Sequence, residues 1–204
     1  MSDLDKAYNL NGPDDCARLY AEWAATYDSG FASDMGYRLP AHVAAAFLAH
    51  GGSGPVLDVG AGTGLLAAAL VDQGFTGHID GIDLSPEMLE HAATKGVYTT
   101  LAAADVTRPL PLPRQYRGIV SSGTFTHGHV GPEALSNLEA VALPNAVFAV
   151  SINAGVFDQG GFAAALSRRN NVRLMDVAIY SGGKDSDAHA QDRALIAIWQ
   201  HASA

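Results

Sequence analysis

The stretch VLDVGAGTG, from Val56 to Gly64, decides the fold. A short apolar strand runs into an acid and then into three glycines within five residues. Gly60, Gly62 and Gly64 lack a Cβ, so the main chain there turns sharply and a ligand approaches it closely. In an open α/β sheet a turn of this kind lies at the carboxyl edge of the strands, where ligands bind.

The pattern repeats outward from that turn. Residues 65–73 form an Ala/Leu-rich helix and 78–82 a second strand. Ser85-Pro86-Glu87 then supplies a hydroxyl cap, a proline and an acid, which together open a helix. A third strand is expected at 97–101 and a fourth at 118–121. Gly131-Pro132-Glu133 opens a helix with Leu135, Leu138 and Val141 facing inward, a fifth strand covers 146–152, and a helix covers 162–169. Strand–helix alternation means right-handed crossovers and a parallel sheet covered on both faces. The ending breaks the rhythm. Runs 172–180 and 194–200 are separated only by SGGKDSDAHAQDR, too little for a helix, so they form an antiparallel hairpin at one edge. The expected class is α/β, a seven-stranded, mostly parallel sheet. Upstream, 13–27 repeats apolar residues at helical spacing (Cys16, Leu19, Tyr20, Trp23, Ala24, Tyr27), and 40–50 forms a second helix ended by Gly51-Gly52. One domain over 1–204 is expected, with a helical lid at 13–50 and the core at 55–200.

Bulk composition removes several partners. An apolar content of 48% against 16% charged residues is that of a globular chain. A net charge of −9 with scattered Lys and Arg argues against nucleic acid, whose phosphates reward clustered cations. Cys16 is the single cysteine, so an internal disulfide is impossible and a cysteine-based zinc site lacks ligands; no metal is expected. The opening MSDLDKAYNL is acidic where a signal peptide is basic, and no run approaches the ~20 apolar residues of a membrane span. A cytoplasmic protein without a membrane partner is expected.

Acids near the glycines narrow the ligand. Asp83, in HIDGIDLSPEM, ends the second strand 19 residues beyond Gly64, the place from which a carboxylate takes a ribose diol. A nucleotide-like ligand follows. Gly62-Thr63-Gly64-Leu65-Leu66-Ala67 also satisfies the dinucleotide spelling G-x-G-x-x-A, which leaves an NAD-linked oxidoreductase as an alternative. Asp58 weighs against it, because a carboxylate just beneath the turn repels a pyrophosphate and suits a ligand with a positive group.

Three phrases in order, VLDVGAGTG, GIDLSPEML and AAADV, make the sequence resemble the class I S-adenosylmethionine-dependent methyltransferases over about residues 13–200. The resemblance implies a Rossmann-like sheet, S-adenosylmethionine as cofactor and methyl transfer by in-line displacement. It implies that Asp58 orients the methionine ammonium above the backbone of Gly60, Ala61, Gly62 and Gly64. Asp83 then takes the ribose hydroxyls and Asp105 the adenine amino group, with Ala104 and Val106 flanking the ring and Leu84 and Met88 as apolar walls. A carbonyl near Ser122 meets the ammonium. The words YAEWAATYDSGF, GTFTHGHVGPEAL and NAGVFDQGGFAAAL are similar to small-molecule enzymes related to the Williams-Beuren-region methyltransferase-like proteins. The chain departs from them at Tyr116-Arg117, where Phe-Asp is common, and at Leu143-Pro144-Asn145-Ala146, where a Pro-Gly-Gly turn is common.

The rim of the site is read from residue type. Tyr20, Tyr27, Tyr37 and Arg38 precede the core; tyrosine stabilises a sulfonium, and Arg38 pairs with the methionine carboxylate. The spacing of Tyr20 fits core packing equally well. His127 and His129 follow the fourth strand, and an imidazole there serves as general base or orients substrate. Asn153 ends the fifth strand, where it bonds substrate or simply shapes a turn. Lys184, Asp185, Asp187 and His189 read as a solvated loop. The expected acceptor is a compact small molecule; a cofactor-binding protein without transferase activity is the other alternative.

Overall fold

The computed structural model describes residues 36–128, 130–181 and 191–202. In chain order these form α1 (Leu39–Ala49), β1 (Val56–Val59), α2 (Leu65–Asp72), β2 (Ile79–Asp83), α3 (Pro86–Thr94), β3 (Thr100–Ala103) and β4 (Tyr116–Phe125). There follow α4 (Ala134–Val141), β5 (Ala142–Asn153), α5 (Ala154–Phe157), α6 (Phe162–Leu166), β6 (Arg173–Ala178) and β7 (Arg193–Gln200). The expected helix at 13–27, with Tyr20 and Tyr27, lies outside the described residues, as do His129 and the 184–189 cluster.

All seven strands join one sheet in the order β3-β2-β1-β4-β5-β7-β6. The first five are parallel; β7 runs antiparallel to both β5 and β6, which is the terminal hairpin at the edge. The order reverses between β1 and β4. At such a switch point the crossovers leave on opposite faces and a crevice opens at the carboxyl edge. The turn that ends β1 stands there.

Two apolar clusters cover the sheet. One face carries Leu57, Val59, Ile82, Ile119 and Phe148 beneath Leu135, Leu138 and Phe162. The other carries Val56, Ile79 and Val120 beneath Val43, Phe47, Leu66 and Leu70. Every residue of β1 is buried, because a parallel strand with helices on both faces meets no water. That makes Asp58 anomalous: it is fully buried where the strand calls for an apolar side chain.

Local chemistry sets the element ends. Ser85 caps α3, its hydroxyl accepting from the Met88 amide at 3.2 Å while donating to Glu87 at 2.8 Å. Several expected boundaries move, among them the fifth strand, which begins at Ala142 rather than 146. The third strand begins at Thr100 rather than 97, because Tyr98 leaves the strand to place its hydroxyl on Asp58. The fourth runs on to Phe125 through an irregularity between Ser121 and Phe125, where Gly123 has φ of 81°. The helix expected over 162–169 ends at Leu166, and the short α5 appears directly after β5.

Candidate cofactor site

The floor of the crevice is main chain. Gly60, Gly62 and Gly64 have φ of 66°, 55° and 90°, a left-handed region that strains any other residue. At Gly60 a Cβ would also overlap the hydroxyl of Thr124. The turn is tied on every side. Ala61 donates to the carbonyl of Ile82 at 2.9 Å, and Gly64 to that of Ala61 at 2.8 Å. From β4, the hydroxyls of Ser121 and Thr124 both reach the Val59 carbonyl, at 2.7 and 3.0 Å. Lys95 holds the Thr63 carbonyl at 2.7 Å.

Acids fill the space beside and beneath this turn. Asp83 accepts from the Gly62 amide at 2.8 Å and from the Ser85 amide at 2.9 Å. Burial nonetheless pushes its carboxyl above the ordinary value, against the pull of those amides. Asp58 accepts one bond, 2.7 Å from the Tyr98 hydroxyl to its Oδ2. Its Oδ1 is buried without a hydrogen-bond partner, although the Ala67 amide lies near enough to draw the pKa down slightly. Burial is the larger effect, and with the repulsion of Asp83 it pushes Asp58 up to about 7. An orphaned buried oxygen at the root of a glycine cradle fits a ligand that brings a positive charge.

Comparisons with known proteins agree with this geometry. Residues 56–145 match the methyltransferase domain family. The human methyltransferase-like protein 27 is 36% identical over 127 residues, 59% of this chain. Over residues 56–145 the chain is therefore similar to methyltransferase domains. Its fold is shared with a TehB-like S-adenosylmethionine-dependent methyltransferase from Corynebacterium glutamicum, at 18% identity and a TM-score of 0.62 over 90% of this chain and 99% of that one. It is shared too with a Haloferax volcanii complex between the Trm112 methyltransferase activator and a methyltransferase, at 16% identity and a TM-score of 0.65 over 90% and 98%. The chain spans about half the length of its human relative, 51%.

Around the crevice the expected residues separate into groups. Gly60, Ala61, Gly62, Gly64 and Asp83 converge on the crevice floor. Ala104 joins them through its amide, which donates a hydrogen bond to the Asp83 carbonyl at 2.9 Å. Asp105 is turned by the Thr107 amide and hydroxyl, at 2.9 and 2.6 Å, and faces Arg108 at 3.3 Å; these hold its carboxyl below the usual range, the Thr107 hydroxyl most. Val106 is buried and its carbonyl accepts from Asn137 at 3.0 Å. Of the two expected apolar walls, Leu84 is 37% exposed and presents a surface, whereas Met88 at 2% is part of the core.

On the far wall, Ser122 lies 3.5 Å from the Tyr37 hydroxyl. Tyr37 is held there by a bridge and a 5.8 Å ring contact with Tyr180. Burial pushes its phenol up to about 12, so it stays protonated. Arg38 is placed differently. It is exposed at the start of α1, and the group that feels its charge is His42, one turn on, whose pKa falls through burial first and Arg38 second. His127 and Asn153 meet at Gly155: a Cβ there would lie 2.8 Å from the His127 ring and 3.1 Å from the Asn153 oxygen. Asn153 accepts from the Gly155 amide at 2.8 Å, which is the capping chemistry of α5.

Sequence reasoning missed Tyr98 and Lys95. The only trace was an aromatic and a cation in KGVYTT, and nothing in that word says which strand they reach back to. A separate groove of about 670 Å³ opens at the amino edge of the sheet, lined by His50, Arg173, Trp199 and His201 among others. It lies at the wrong end of the parallel strands for the glycine turn. Among the described residues no cluster of His, Cys, Asp and Glu is arranged for a metal, and no helix is long and apolar enough to cross a membrane.

Proposed function

We propose that this chain moves the methyl group of S-adenosylmethionine onto a small-molecule acceptor. The observation that carries the reading is the left-handed glycine turn at the switch point, with Asp83 bonded to the Gly62 amide and Asp58 buried beneath. When bound, the cofactor supplies an activated sulfonium methyl. The residues of this chain bind and orient it. The main chain of Gly60, Ala61, Gly62 and Gly64 takes the amino-acid end, with Asp58 attracting the ammonium from below and the Ser122 carbonyl meeting it from β4. Asp83 keeps free lone pairs on both oxygens for the ribose hydroxyls. Leu84, Ala104, Asp105 and Val106 form the adenine side, backed by Met88. Tyr27 and Arg38 remain candidates for the methionine carboxylate and the acceptor.

The burial of Asp58 refines the charge argument. A carboxyl that titrates up to about 7 is partly protonated near neutrality, so its negative charge develops when a cation arrives and displaces the proton. On the β4–β5 side, Tyr37, His127 and Asn153 border the place of the acceptor. His127 is proposed to orient the acceptor or to take its proton as it attacks, with His129 beside it in sequence. Support for a small acceptor comes from a net charge of −9, which disfavours nucleic acid. The whole domain is proposed as one unit, residues 1–204, working in the cytoplasm.

Two measurements test this. S-adenosylhomocysteine is expected to raise the melting temperature where NAD does not; stabilisation by NAD alone overturns the cofactor assignment. Labelled methyl from S-adenosylmethionine is then followed into the small-molecule and macromolecular fractions of a cell extract. Label in small molecules supports the proposal, label in protein or RNA overturns the acceptor class, and tight cofactor binding with no transfer marks a non-catalytic binder.

A further inference from the structure

The connector between α3 and β3 reaches back under the glycine turn. Its Tyr98 ring occupies a slot that two glycines leave open: a Cβ on Gly64 would come within 3.0 Å of the ring, and one on Gly81 within 2.8 Å. At the end of the slot the Tyr98 hydroxyl donates to Asp58 Oδ2 at 2.7 Å. Lys95, three residues earlier, holds the Thr63 carbonyl of the same turn at 2.7 Å. The connector thus grips the turn and the acid together.

Asp58 depends on that grip. With Oδ1 unpartnered, the tyrosine hydroxyl is the hydrogen-bond donor that opposes its desolvation. The other groups facing it differ in sign and kind. Asp83 on β2 repels its charge, and the Ala67 amide on α2 favours it weakly. From β4 the hydroxyls of Ser121 and Thr124 go to the Val59 carbonyl instead.

We propose that Tyr98 is a positioning residue for the amino-acid end of the cofactor: wedged against Gly64 and Gly81, it holds the Asp58 carboxylate beneath the turn, so that a nucleoside thioether bearing an ammonium is preferred over the same nucleoside without one. This rests on the methyltransferase reading above and adds to it a determinant outside the three motifs. Tyr98 acts through Asp58 and touches no reacting atom. Without its hydroxyl the buried carboxyl keeps its proton, and the turn loses the charge that draws the ammonium. On binding, that proton passes to solvent.

The test compares S-adenosylhomocysteine with 5′-methylthioadenosine, which shares the nucleoside and sulfur but has no amino-acid end. Binding of both is measured calorimetrically to the wild type and to Tyr98→Phe across pH 6 to 9. The variant is expected to lose about tenfold in affinity for S-adenosylhomocysteine at pH 7.5, a charge-assisted interaction of ordinary size. Its affinity for 5′-methylthioadenosine should hold. The pH at which S-adenosylhomocysteine binding reaches half its maximum should also rise, because a carboxyl without its donor ionises later. Equal losses for both ligands, or an unchanged ratio with an unmoved pH profile, overturn the proposal. If Tyr98→Phe does not fold, Asp58→Asn gives the same reading: it must collapse the preference for the ammonium-bearing ligand, and a preserved preference sinks the idea. A wild type that binds neither nucleoside fails the methyltransferase reading itself, a result distinct from either outcome.

Discussion

The two walls of the crevice are built in different ways. The β1–β2–β3 wall is a mesh of bonds donated by main-chain amides: Ala61 to the Ile82 carbonyl, Ala104 to the Asp83 carbonyl, and Gly62 and Ser85 to the Asp83 carboxylate, all between 2.8 and 2.9 Å. The β4–β5 wall is made of side chains that arrive from far apart, with Tyr37 on Ser122 and His127 beside Asn153 and Gly155. The difference teaches where tolerance lies. Main-chain geometry admits few residue types, so the first wall is rigid and its spelling constrained. Side-chain surfaces accept substitution without loss of the fold, so the second wall is the one we propose for distinguishing acceptors.

The contrast is broken or sharpened by substitution on either side. The largest effect is expected at Gly60→Val, where a β-branched residue meets both a φ of 66° and the Thr124 hydroxyl. Urea unfolding should show a loss of about 3 kcal/mol or more, with no stabilisation left from S-adenosylhomocysteine. A stable, cofactor-binding variant would show that the first wall is not rigid. Next comes His127→Ala. It should lower turnover by about 100-fold while leaving S-adenosylhomocysteine affinity within twofold, since His127 is proposed to serve the acceptor and not the cofactor. A fall in cofactor affinity of the same size would erase the division between the walls.

Asp58→Asn separates charge from packing in the first wall. The folded chain holds the Asp58 proton up to about 7 against the ordinary 3.8, so between those values it binds more protons than the unfolded chain, and stability falls as pH rises through that window. The variant carries no such term. It should be more stable than the wild type by about 2 kcal/mol at pH 8, with the gap closing towards pH 4, even as it loses the ammonium. A gap independent of pH would mean that Asp58 does not titrate in this range. The smallest effect is expected at Asn153→Ala, which removes the cap of a helix only four residues long. The cost should be about 1 kcal/mol in a denaturation midpoint, with turnover little changed. A large loss of turnover would move Asn153 from capping into the acceptor site.

How much of this was legible follows the same division. Gly60, Gly62, Gly64 and the acid 19 residues on lie within one βαβ unit, so their meaning is local. The cap at Ser85 was legible for the same reason. The exposure of Arg38 was not: it follows from where the start of α1 meets solvent, which charge and position in the chain do not state. The burial of Met88, at 2% exposed, was not legible either, because packing alone determines how far an apolar helix residue is covered. Tyr98 was read as a strand residue because KGVYTT is β-like, whereas its ring answers to a carboxylate 40 positions earlier.

The amino-acid sequence by itself determined the strand–helix alternation, the terminal hairpin and the glycine turn with its acids, because each is set by contacts within a few residues or one crossover. Only the tertiary structure decided that Asp58 is sealed from water with one oxygen unpaired, that Tyr98 and Lys95 grip the turn, and that Tyr37 reaches Ser122 through Tyr180. Those facts depend on which distant segments share a volume, and desolvation acts through that volume rather than along the chain.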